Sequence, residues 1–261
     1  VSTREPRAKN RERRMSLAEH LLEIRKRLFI SAIAIVVGAA AGWFLYEPVI
    51  AQIQRPIAEI ASEHNATINY TVLTEAFDIR LQLTVTLGIL LSSPVWLYQI
   101  WAFIIPALVR REKVYALGFF FTAVPLFLIG AAAGWFIFPH MAQLLLGFAA
   151  TDTTTILTAK YLIDFVLKLV IAVGVGFTFP VFLVLLNFIG ILEARSILRG
   201  WRIAVLLITV FCATVTPSAD LFSMFLLAIP MVVLYFAAVG VAYLHDRRAA
   251  KRADALDSEL A

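Results

Sequence analysis

The sequence is poor in charge. Of its 261 residues, 16% are Asp, Glu, Lys or Arg, where soluble domains carry about 25%. By contrast 61% are hydrophobic, and the mean hydropathy is +0.85. A soluble domain of this composition would run out of polar surface once its core was filled, so the excess apolar residues must face lipid. There is one cysteine, Cys212, inside an apolar run; this excludes an intramolecular disulfide and a multi-thiolate metal site and leaves the redox compartment open. The four histidines, His20, His64, His140 and His245, are scattered, so each reads as a polar residue near a helix end and no metal site is expected. Also missing are a Gly-rich phosphate loop with Lys and a Ser, His and Asp trio in one compartment. The expectation is a protein that is not an enzyme and binds no cofactor.

What the chain does have is long apolar runs. Crossing about 30 Å of hydrocarbon takes roughly 20 residues of helix, and six candidates appear: 28–46, 77–103, 114–138, 161–192, 203–215 and 221–244. The fifth is too short to cross an unperturbed bilayer. Lys and Arg mark the cytoplasmic side. Nineteen of them lie before the first run, at Arg110, Arg111 and Lys113, at Arg195, Arg199 and Arg202, and in the C-terminal tail, against only Arg55 and Lys160 in the other connections. Both termini are therefore expected in the cytoplasm. The same clustering between apolar runs argues against nucleic acid as the reason for the net charge of +5. Residues 1–14, with six Lys or Arg, read as a basic, disordered extension, and no cleavable signal peptide is visible.

Residues 47–76 read as a cap on the outer surface, a short amphipathic helix followed by a Thr-rich stretch. Gly38-Ala-Ala-Ala-Gly42-Trp43-Phe44 is echoed by Gly130-Ala-Ala-Ala-Gly134-Trp135-Phe136; this small-xxx-small spacing suits close helix packing. Pro94, Pro125, Pro180 and Pro230 predict kinks in the second, third, fourth and sixth spans, and hence a curved, concave bundle. Asp164 with Lys168 and Asp78 with Arg80 read as local pairs or snorkelling charges. Asp220, just before the sixth span, could be a simple N-cap. Leu17 to Leu28 reads as an amphipathic helix in which Glu23 and Arg27 stand four apart. Either they form an ordinary i,i+4 pair, or Glu23 and Glu112 offer carboxylates in a cytoplasmic groove that can take guanidinium groups bidentately.

Three motifs carry a resemblance. They are His20-Leu-Leu-Glu23-Ile-Arg25-Lys26-Arg27-Leu28; Ser93-Pro94-Val-Trp-Leu-Tyr98-Gln99-Ile-Trp101-Ala102-Phe103-Ile-Ile-Pro106-Ala107-Leu108, with Arg111-Glu112 just after; and Leu226-Leu-Ala228-Ile229-Pro230. In this order, over roughly residues 15–245, the chain resembles TatC, the multispanning subunit of the twin-arginine protein translocase. The resemblance implies an all-α integral membrane protein of the bacterial cytoplasmic (inner) membrane, with six kinked helices in a concave bundle and a charged tail at 246–261. It implies a receptor for the twin-arginine signal peptides of folded cargo, exporting them by the proton motive force with the single-span partners TatA and TatB, as a homo-oligomer within the complex. Carried over by motif, Glu23 and Glu112 would bind the arginine pair, and His20, Arg25, Phe103 and Leu108 would shape the site. Asp220 matches an acidic position of the family. Thr178 stands where many members have Glu, and Met224 where some have Gln, so those polar roles do not transfer. The rival from another class is a secondary transporter of a small solute, but the helix centres carry almost none of the ionisable positions it needs.

Overall fold

A computed structural model describes residues 17–63, 66–104, 112–147, 155–216 and 221–260. In chain order the elements are α1 (Leu17–Phe44), α2 (Tyr46–Glu63), β1 (Ala66–Asn69), α3 (Glu75–Leu91), α4 (Ser93–Ile104), α5 (Glu112–Gly147), β2 (Thr155–Thr158), α6 (Ala159–Phe188), α7 (Ala194–Arg199), α8 (Trp201–Val215) and α9 (Leu221–Leu260). Four helices are long and apolar enough to cross a membrane on their own, within α1, α5, α6 and α9. Taken together, α3 and α4 are also long and apolar enough for a crossing, as a broken span or a re-entrant loop, and α8 is a shorter apolar helix of 15 residues. Large apolar side chains on the outside, among them Leu28, Phe44, Phe136 and Ile203, are what a lipid-facing surface requires.

Two of these outlines differ from the hydropathy pattern. α1 starts eleven residues before its apolar run and α9 continues to Leu260 through the charged tail, because Ala, Leu, Glu, Lys and Arg propagate a helix whether or not it is buried. At Pro94 the expected kink is a full break, with α3 and α4 bent by 58°. Pro94 is the second residue of α4, where its missing N–H breaks no helical hydrogen bond. The polar groups freed by the break are paired again: Ser92 N donates to Gly88 O and Trp96 Nε1 donates to Ile89 O at 2.9 Å.

Two contacts between glycines and helices set the packing. A Cβ on Gly38 would sit 2.7 Å from Gly88 O on α3, and one on Gly130 would sit 2.8 Å from Val173 O and Phe177 on α6. Each copy of the echoed motif therefore presses an outward-running helix onto the next one back. α6 is buried along most of its length, and at its inner half Trp101 of α4 stacks on Phe182 at 4.6 Å with an interplanar angle of 7°.

The outer cap holds something the sequence pattern did not indicate. β1 and β2 pair in parallel, Ala66 opposite Thr155 through Asn69 opposite Thr158, joining stretches almost ninety residues apart. Just beyond them lies Glu75, 2% exposed. Its Oε2 accepts from Thr71 N at 2.5 Å, Thr71 Oγ1 at 2.8 Å and Val72 N at 3.2 Å. Its Oε1 accepts from Lys160 N at 2.9 Å, so one carboxylate ties the start of α3 to the start of α6.

Candidate functional site

α1 and α4 run antiparallel, and the first motif faces the second across them. His20, Glu23 and Arg27 fall at i, i+3 and i+7, which is one stripe of a helix; Gln99 and Phe103, at i and i+4, form the facing stripe of α4. The His20 ring lies 4.6 Å from the Phe103 ring at 34°. Arg27 donates from Nε to Glu23 Oε1 at 3.1 Å and from Nη2 to the same oxygen at 2.5 Å. Arg27 Nη1 reaches across to Gln99 Oε1 at 3.4 Å. The Glu23 and Arg27 side chains are only 19% and 22% exposed, so the pair is a half-buried junction rather than a solvated surface pair.

Both of Arg27's bonds to Glu23 fall on one carboxylate oxygen, Oε1. Glu23 Oε2 is shielded from solvent and has no hydrogen-bond partner among the described residues. A shielded acceptor left empty costs more than one paired with a donor, and a carboxylate in this state gains most from a guanidinium, whose planar N–H pair matches it.

The other predicted positions are distributed as follows. Arg25 is exposed on α1. Glu112 is the first residue of α5, at the same end of the bundle as the groove, with its side chain outside the described residues. Leu108 and Asp220 lie outside the described residues. Thr178 is buried and its hydroxyl donates to Val175 O at 2.7 Å, so it serves its own helix. Met224 is half-buried on α9 and packs on the core. The site reading missed Arg27 and Gln99 as members of the groove, although Gln99 stands one helical turn before Phe103 on the same face and was legible from that spacing.

The charged residues near the outer ends do not pair as local spacing suggested. Asp78 binds Lys160 Nζ of α6 at 3.0 Å instead of Arg80. The Arg80 guanidinium lies 4.5 Å from the Trp43 ring centre and 4.7 Å from that of Tyr46, with Glu47 at 3.8 Å. Among the described residues Asp164 and Lys168 form no ion pair, and Asp164 Oδ1 has no partner. Each helix-to-helix pairing replaces an intrahelical one because charges sunk toward lipid seek the nearest polar group on any element. At the opposite end, Asp246 of α9 accepts from Ala194 N at 2.9 Å and Asn187 Nδ2 at 3.0 Å, capping α7.

Residues 19–230 match the family model described as Sec-independent protein translocase protein (TatC). The Sec-independent protein translocase protein TatC of Xylanimonas cellulosilytica is 44% identical over 247 residues, covering 94% of this chain and 90% of that one. The Bacillus subtilis protein TatCy is 32% identical over 239 residues, covering 91% and 92%. A solved structure described as the twin arginine translocase receptor TatC in DDM superposes with a TM-score of 0.76 at 31% identity, covering 86% of this chain and 99% of that one. The chain thus belongs to the TatC family, and is a multispanning membrane subunit of a protein translocase, helical but for one short strand pair, rather than an enzyme.

Proposed function

We propose that this chain is the receptor and core subunit of the twin-arginine translocase. It takes the paired arginines of a folded cargo's signal peptide on the cytoplasmic face and, with TatA and TatB, passes the cargo across the cytoplasmic membrane at the expense of the proton motive force. The observation that carries this is Glu23 Oε2, a shielded carboxylate oxygen with no partner among the described residues, beside an Arg27 that is already bonded to Glu23 Oε1 and to Gln99 Oε1. One arginine docks at Glu23 and the second at Glu112, with His20, Phe103 and Leu108 walling the site and Arg25 at its edge. In this reading residues 15–245 form a membrane domain of six crossings, counting the bent α3–α4 pair as one and α8 as another. Residues 1–14 and 246–261 are its cytoplasmic extensions, and Asp220, Thr178 and Met224 are the further positions at which a role toward a partner subunit is to be tested.

The test is binding of a fluorescent twin-arginine signal peptide to the full chain in nanodiscs, against a twin-lysine control. The expected result is a preference for arginine that Glu23→Gln with Glu112→Gln abolishes. With charge-assisted hydrogen bonds worth about 1.5–3 kcal/mol each, the double substitution should weaken arginine binding at least about tenfold. Equal binding of the two peptides, unchanged by the substitutions and by adding TatB, would reject the site.

A further inference from the structure

α8 stands away from α6, and the space between them is a cleft of about 530 Å³. Val175, Phe179 and Leu183 of α6 form one wall, Ile203 and Phe211 of α8 the other, and Tyr235 of α9 the floor. The floor is fixed: Tyr235 OH donates to Ile197 O of α7 at 2.5 Å, and Asp246 caps α7, so the cleft is built before anything enters it. From Gly200 at its mouth to Phe211 at its far end, eleven helical residues rise about 16 Å, close to half of the ~30 Å hydrocarbon thickness. The chain around the mouth is basic: Arg199 and Arg202 flank the lining residue Gly200, and with Arg195 they are exposed and take part in no ion pair among the described residues, Arg202 lying 5.7 Å from the Trp201 ring centre.

We propose that this cleft holds one acyl chain of an anionic diacyl phospholipid from the leaflet at the basic end, with the headgroup phosphate held by Arg199 and Arg202. The depth matches one leaflet, the walls are apolar, and arginines without an ion-pair partner among the described residues supply the positive charge that balances a phosphodiester. The inference does not depend on the signal-peptide reading, and its test does not use that peptide.

The experiment uses the full chain in phosphatidylcholine nanodiscs doped with phosphatidylglycerol carrying a diazirine in its acyl chain, or with the phosphatidylcholine of identical chains. After irradiation, adducts are mapped by peptide. The expected result is labelling within 175–183 and 203–211, stronger for phosphatidylglycerol. Arg199→Gln and Arg202→Gln, both at exposed positions, should each lower the phosphatidylglycerol signal about fivefold and leave the phosphatidylcholine signal unchanged. Ala204→Phe, which fills the cleft, should remove labelling by both lipids there. Equal labelling by the two lipids that ignores the arginine substitutions would overturn the proposal, as would an absence of adducts in these two segments. Loss of the adducts on adding an equimolar single-span partner would assign the cleft to that helix and overturn it as well.

Discussion

Among individual residues, Glu75 has the heaviest structural duty. Four donors from two helix starts converge on one buried carboxylate, and a hydrogen bond to a charged group contributes about 1.5–3 kcal/mol. Glu75→Gln keeps the shape but turns an amide NH2 toward donors, and should destabilise the protein by about 2–4 kcal/mol. Hydrogen exchange should then rise in 66–75 and 158–161, and the unfolding temperature in detergent should drop. Unchanged exchange in both segments would show that the cap is held by the β1–β2 pairing alone. Nothing in the local sequence marked Glu75, because its partners include a backbone amide 85 residues away. Glu23 differs: its spacing to Arg27 was plain in the sequence, but that one of its oxygens stays empty is a matter of where α4 places Gln99.

Between elements, close packing depends on a few glycines, and they divide cleanly. A Cβ at Gly88 would meet Ile35 O and Ala39 N at 2.7 Å, while Gly118 and Gly240 have nothing within 4 Å. Gly88→Ala is expected to force α1 and α3 apart and cost about 1–3 kcal/mol. Gly118→Ala and Gly240→Ala, in helix interiors, should be neutral or stabilising by up to about 1 kcal/mol. Thermal unfolding of the three variants in one detergent checks this, and an equal loss in all three would mean that helix separation is not the cause. The two small-xxx-small stretches were visible as motifs. Their receiving surfaces, Gly88 on α3 and Val173 with Phe177 on α6, carry no motif of their own, since packing surfaces in lipid are defined by fit and not by pattern.

For the molecule as a whole, the charge distribution sets the orientation in the membrane. By the positive-inside rule the basic connections and both termini are expected inside, and the cap with β1 and β2 outside. Cys212 is buried, which makes the native protein a quiet background for labelling. With a membrane-impermeant maleimide on intact cells, Tyr70→Cys in the exposed cap should react at once, and Arg248→Cys on the exposed end of α9 only after permeabilisation. The reverse pattern would invert the topology and with it the placement of the Glu23 groove.

The sequence by itself determined that this chain lies in lipid, which of its segments are the apolar ones, where close helix contacts form, and which motifs place it in its family. Hydropathy, charge and glycine spacing are local quantities, and the bilayer reads them one segment at a time. Tertiary structure alone decided which charges meet: Asp78 with Lys160, Arg80 with two aromatic rings, Arg27 with Gln99, and Asp246 with the start of α7. It also decided that Pro94 marks a break of 58° and that two four-residue strands pair across the cap. In a medium with no water to satisfy them, polar groups take whichever partner the packed helices bring within reach, and that partner is fixed by three-dimensional proximity rather than by distance along the chain.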